Sequence, residues 1–121
     1  MKKILGYFIL QLKKIADQCI AEKNKAIFFT DKSNIHSSFR IGAHNFLDIS
    51  PAAQFQIGKN VLINQSNYIT VKPNAKLTIG DDTYITRATI SCLGEIEIGK
   101  NCILGEGMKI FDHNHQYTKD P

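Results

Sequence analysis

Four consecutive residues near the end of the chain, Asp112-His113-Asn114-His115, form its densest group of side chains able to do chemistry. Imidazole titrates near neutrality, so either histidine has the protonation behaviour that a general base needs. Residues i and i+2 of a strand share a face, so the same two histidines are also spaced to hold a metal ion between them. A polar surface loop without chemistry is the third reading. In the general-base reading Asp112, His113 or Asn114 would orient the imidazole or contact a substrate. His36 and His44 stand apart and read as exposed corner residues. Cys19, Cys92 and Cys102 are odd in number and lack CxxC spacing. They fit neither a disulfide framework nor a zinc ribbon, which points to a reducing cytoplasm. Each reads as a small buried apolar residue.

The scaffold behind these residues is small, since 121 residues suffice for one modest domain. Hydrophobic residues make up 43% and charged residues 21%, a balance that excludes a disordered chain. The net charge of +4 is mild and suits a small anionic ligand. Outside the N-terminus no Lys/Arg cluster is interleaved with aromatic residues, so nucleic acid is not an expected partner.

Lys2 and Lys3 precede an apolar run from Ile4 to Leu12, and Lys13 and Lys14 close it. The run is shorter than the roughly 20 residues that cross a bilayer, and no small-residue cleavage site follows. At helical spacing Ile4, Leu5, Phe8, Ile9, Leu12, Ile15, Ala16, Cys19 and Ile20 form one broad apolar face. An amphipathic helix is therefore expected within residues 1–24, packed over the open end of the domain that follows. The alternative is a basic helix in peripheral contact with an anionic membrane surface through residues 2–23. Residues 25–34 read as a connector.

From residue 35 the pattern changes. Ile-Gly occurs at 41–42, 57–58, 79–80 and 98–99, and the segment Ile49–Gly58 matches Val71–Gly80 position by position. Ala53, Ala75 and Gly94 each stand four residues before an isoleucine of these pairs. Inside each copy, aliphatic residues fall six apart, at Ile57, Ile63 and Ile69 and again at Ile98, Leu104 and Ile110. A helix sets apolar residues three and four apart, so this spacing excludes one. It describes short strands joined by turns and stacked into a solenoid. The aliphatic residue of each unit faces inward, and Lys59, Asp82 and Lys100 face solvent. Gly58, Gly80 and Gly99, with Asn60, Asp82 and Asn101, supply residue types suited to corners. Val61, Thr83 and Cys102 fill the remaining interior. The Ile-Gly pairs are unevenly spaced, so extra residues near Asn74-Ala75-Lys76 and Leu93-Gly94 are expected to form corner loops.

The hexapeptide pattern together with Asp112-His113-Asn114-His115 resembles the left-handed β-helix acyltransferases, in particular the maltose, galactoside and capsular-polysaccharide O-acetyltransferases. The resemblance covers about residues 35–121. It implies an all-β solenoid, a left-handed parallel β-helix with triangular coils of about 18 residues, preceded here by the amphipathic α-helix. It further implies a homotrimer, acetyl-CoA as acyl donor in the groove between subunits, and a sugar or cell-surface polysaccharide hydroxyl as acceptor. Aligned on Ile98-Gly99-Lys100-Asn101, the family's general base falls on His115. A cytoplasmic protein, or one peripheral to the inner face of the membrane, follows from the same reading. No metal is expected.

Two departures from the family pattern matter. Where the galactoside branch holds its acceptor with an asparagine and a carboxylate, this chain has Arg87 and Cys92. The acceptor is therefore not carried over, and Arg87 is a candidate for an anionic sugar or for the CoA phosphates. The family also continues for several coils beyond its histidine, and those coils carry much of the acetyl-CoA surface. Here the chain stops at Asp120-Pro121, so the β-helix is expected to be incomplete and the residues that bind acetyl-CoA are not identified. Two other functions compete with acetyl transfer. One is a non-catalytic scaffold that oligomerises without an active site. The other is a zinc-dependent carbonic anhydrase of similar fold, whose three convergent histidines the His113/His115 spacing does not match.

Overall fold

Ile35, Ile57, Ile79 and Ile98 lie side by side in register, and this interior column organises the chain. The computed structural model describes residues 2–113, which form one helix followed by a parallel β-solenoid of four coils. Helix α1 (Lys2–Ile27) leads into the first coil, made of β1 (Lys32–Ile35), β2 (Arg40–Ile41) and β3 (Phe46–Ile49). The second coil is β4 (Gln54–Ile57), β5 (Leu62–Ile63) and β6 (Tyr68–Val71). The third is β7 (Lys76–Ile79), β8 (Tyr84–Ile85) and β9 (Thr89–Cys92). The fourth is β10 (Glu95–Ile98), β11 (Ile103–Leu104) and β12 (Lys109–Phe111). Each strand pairs with its counterpart one coil away, which gives three parallel four-stranded sheets.

Strand alternation fills the interior. Four-residue strands send two side chains inward, as with Leu77 and Ile79 or Ile90 and Cys92, and two-residue strands send one, as with Ile85. Each corner adds a smaller group, such as Ala75, Thr83 or Ala88, and all of these are at most 1% exposed. Burying such a column of aliphatic side chains contributes about 1.5–3 kcal/mol each before entropy is counted. Lys59, Asp82 and Lys100 face solvent, as expected.

The coils are longer than 18 residues. The Ile35 column advances by 22, 22 and then 19 residues. Six-residue spacing holds from the first sheet to the second, and from the second to the third except in the third coil, where Ile85 and Ile90 are five apart. The return corner adds Lys72–Ala75, so Ile69 is followed by Val71, Ala75 and Leu77. Lys76 opens β7 rather than lying in a loop, and Leu93-Gly94 is the shortened return corner, with two residues where its predecessor has four. Ile41-Gly42 is not equivalent to Ile57-Gly58, because Ile41 pairs with Ile63 in the second sheet.

Corners turn on residues of positive φ: Asn60 (54°), Ser66 (58°), Asn74 (66°), Asp82 (57°), Arg87 (52°) and Asn101 (55°). Asn and Asp tolerate this region better than other non-glycine residues. The flipped peptide aims its N–H back at the preceding coil. Asn74 donates to the Ala52 carbonyl (3.1 Å), Asp82 to Lys59 (2.8 Å) and Asn101 to Asp81 (2.9 Å). The glycines of the first three Ile-Gly pairs serve close approach instead: a Cβ on Gly80 would lie 2.7 Å from the backbone of Gly99 and Lys100, whereas at Gly99 the nearest atom would be Cys102 Sγ at 4.0 Å.

Two features lay beyond the sequence reading. Asn67 is fully buried and belongs to a side-chain ladder: its Nδ2 donates to Asn45 Oδ1 (2.9 Å), and its own Oδ1 accepts from the Ala88 N–H (2.9 Å). The first coil also begins earlier than residue 35. Ser33 stands where later coils carry Phe55 and Leu77, leaving the interior short of one large side chain. Phe28, fully buried, fills that space against Phe39 (ring centroids 5.3 Å) and Phe55 (4.9 Å). Thr30 ties the same segment down by donating to the Ala53 carbonyl (2.6 Å).

The helix docks on the face opposite to the one expected. Asp17, Ala21 and Asn24 lie towards the solenoid, with Asn24 Nδ2 donating to the Gly42 and Ala43 carbonyls (both 3.0 Å). The apolar stripe stays outside, Ile4 being 74% and Phe8 60% exposed. Cys19 is likewise exposed on the helix, not buried. Among the described residues no helix is long and apolar enough to cross a membrane.

Candidate functional site

The end of β12 carries Asp112 and His113 to the corner between the third and first sheets. In register, Asp112 follows the pair Phe111 and Ser91, so it stands above Cys92 in the interior column of Ile49 and Val71. One coil earlier, the corner N–H groups donate to carbonyls of the coil above, Lys72 to Cys92 (3.0 Å) and Lys76 to Gly94 (2.8 Å). At the next level the Asp112 carboxylate takes over that role. It accepts the N–H of Leu93 (2.8 Å), Gly94 (2.7 Å) and Glu95 (2.8 Å).

The electrostatics follow from this geometry. Burial of Asp112, 11% exposed, opposes ionisation. The N–H groups of Leu93 and Gly94, the imidazole of His113 and the N–H of Glu95 together outweigh it, holding the carboxyl at about 2 against an ordinary 3.8. Beneath it the Cys92 thiol is pushed up to about 11, first by burial and then by the Asp112 charge. Cys92 is fully buried and donates to the Lys76 carbonyl (3.3 Å). It is thus an interior residue held as the neutral thiol, out of contact with solvent.

His113 packs beside this anchor. Its Nδ1 lies 3.3 Å from Asp112 Oδ1, and its ring meets Phe111 edge-on at 5.8 Å. A carboxylate at Nδ1 favours the tautomer protonated there, which leaves Nε2 as the acceptor nitrogen. The structure therefore brings Asp112 and His113 together, but with Asp112 committed chiefly to backbone amides. Asn114 and His115 lie outside the described residues.

Arg87 belongs to a different edge of the solenoid, with the whole of β9 between it and the Leu93-Gly94 corner. Its N–H donates to the Gln65 carbonyl (3.0 Å), and its guanidinium pairs with Glu106 of the next coil (3.1 Å). Both partners are more than half exposed, so the pair contributes little stability. It does occupy the cation that an anionic ligand would need. His36 and His44 are exposed, and His44 Nε2 lies 3.7 Å from Asp17 of the helix. Among the described residues no group of three or more His, Cys, Asp or Glu side chains is placed to hold a metal ion.

The anchoring role of Asp112 was not visible in sequence, because its partners are backbone amides and carry no side-chain signature. The nearest signal was its interior column, where Ile49, Val71 and Cys92 precede an acid that cannot simply be buried. Comparison of the chain with models of known protein families, with curated proteins and with solved structures found no match.

Proposed function

We propose that this protein is an acyltransferase of the left-handed β-helix type, moving an acetyl group from acetyl-CoA to a hydroxyl of a sugar or cell-surface polysaccharide. The observation that carries the reading is the Asp112 anchor on a stacked parallel solenoid. It fixes the backbone that leads directly into Asn114 and His115, and a general base must be held firmly to be effective. In this reading His115 accepts the proton of the acceptor hydroxyl as that oxygen bonds to the thioester carbonyl carbon. The carbon–sulfur bond then breaks and the proton passes to the departing thiolate. His113, with Asp112 at its Nδ1, positions the segment and contacts the acceptor. Three subunits assemble so that acetyl-CoA lies between neighbouring solenoids.

One observation favours a scaffold without catalysis. Asp112 is spent on backbone amides and Arg87 on Glu106, which leaves two of the named residues with structural partners. Thiol release from acetyl-CoA in the presence of sugar acceptors separates the two readings. Wild-type protein is expected to release CoA, and His115→Ala to lower the rate by about 10²–10⁴, with the trimer intact by sedimentation. A trimer that neither binds nor cleaves acetyl-CoA would establish the scaffold instead.

A further inference from the structure

Charge and apolar exposure are concentrated on one element. Helix α1 carries Lys2, Lys3, Lys13, Lys14, Lys23 and Lys25 against Asp17 and Glu22, a net +4. The rest of the chain has nine basic and nine acidic residues, so the protein's whole net charge of +4 lies on the helix. The first turn contains no acid, although the helix dipole favours one there. Between the two lysine pairs, Ile4, Leu5, Phe8, Ile9 and Leu12 are each more than half exposed. They stay exposed because the helix is held by its opposite face, through Asn24 and the buried Phe28 that follows it.

We propose that α1 is a membrane-surface anchor, laying its apolar face among the headgroups of anionic phospholipids with the lysines on the phosphate layer. An apolar stripe flanked by lysines is the pattern that suits such a boundary, and long lysine side chains reach from it back to water. Tyr7 (65% exposed) and Leu10 (59%) lie off the stripe and add to the apolar surface that the helix leaves in water. A second copy of the helix is a poorer occupant. Pairing two elements of charge +4 is repulsive, while an anionic surface attracts both. The proposal does not depend on acetyl transfer.

The test is co-sedimentation of the full chain with phosphatidylcholine vesicles, with and without phosphatidylglycerol. Binding is expected to the anionic vesicles, to weaken with salt, and to be at least tenfold weaker on neutral ones. A lysine near such a surface strengthens binding about fivefold, so Lys13→Gln with Lys14→Gln should lower it about 25-fold. Phe8→Glu should abolish it with the solenoid's circular dichroism unchanged, since Phe8 touches water in the free protein. Failure to bind anionic vesicles, or equal binding to neutral ones, overturns the proposal. So does self-association that depends on Phe8 without vesicle binding, which would give the face to a second copy.

Discussion

Replacing Asp112 by Asn removes one negative charge at nearly constant volume and tests whether this residue holds the last described corner together. In the folded chain the carboxyl stays ionised down to about pH 2, whereas in an unfolded chain it protonates near 3.8. A folded value below the unfolded one means that the ionised form is stabilised by folding. The contribution is fully present above pH 3.8 and is lost as pH falls through about 2. At about 1.4 kcal/mol per unit, the gap amounts to about 2 kcal/mol at neutral pH. The amide keeps one oxygen acceptor but turns an NH2 group towards corner N–H donors, so the substitution should forfeit most of that amount. For a chain of this size the cost corresponds to a fall in Tm of about 6–10 °C. Urea unfolding of both proteins between pH 7 and pH 2 reads the difference directly, and the gap in stability should narrow steadily below about pH 4. Amide exchange at Leu93, Gly94 and Glu95 should accelerate in the variant at neutral pH. Equal stability at pH 7, or a gap that persists undiminished to pH 2, would refute the assignment of Asp112 as the corner's anchor.

Phe28→Ala should destabilise the protein by about 3–5 kcal/mol, because the ring is fully buried and fills the gap beside Ser33. Phe29→Ala, at a ring 52% exposed, is the control and should change thermal unfolding by no more than about 0.5 kcal/mol. Cys19 should react with a thiol reagent at once in native protein at pH 8, whereas Cys92 should react only after unfolding, as peptide mass analysis would show. Equal labelling of the two in native protein would mean that Cys92 does not face the interior.

The solenoid was legible because its physics repeats. Isoleucines at Ile57, Ile63 and Ile69 mark three inward positions on three sheets, and no helical or globular pattern produces that spacing. Coil length was not legible from the Ile-Gly pairs, because the same dipeptide ends a strand of the second sheet at Ile41 and strands of the first sheet at Ile57 and Ile79. Register, not motif, identifies equivalent residues. The 22-residue step was nevertheless present in the recurrence of Asn45 at Asn67, a buried ladder that apolar pattern matching passes over. Amphipathicity placed the helix but misjudged its docking face. The deciding contact is made by Phe28, beyond the helix, where a deficit in the first coil draws it in and turns the stripe outward. At the candidate site the segment 112–115 stood out by composition, while the division of labour within it depends on which backbone amides Asp112 meets.

The return corner takes four residues at Lys72–Ala75 and two at Leu93-Gly94, yet Leu77 still lies beside Ile96 and Ile79 beside Ile98. Length and register are thus decoupled along this edge. For the gene that encodes such a chain, codons gained or lost there alter surface relief and leave the interior columns intact. The same single-codon insertion within β7 would invert the facing of every later residue of the strand and expel Leu77 or Ile79 from the core. Variation is therefore channelled to the edges, where neighbouring coils present their corners to solvent and where a new binding surface is acquired at least risk to the fold.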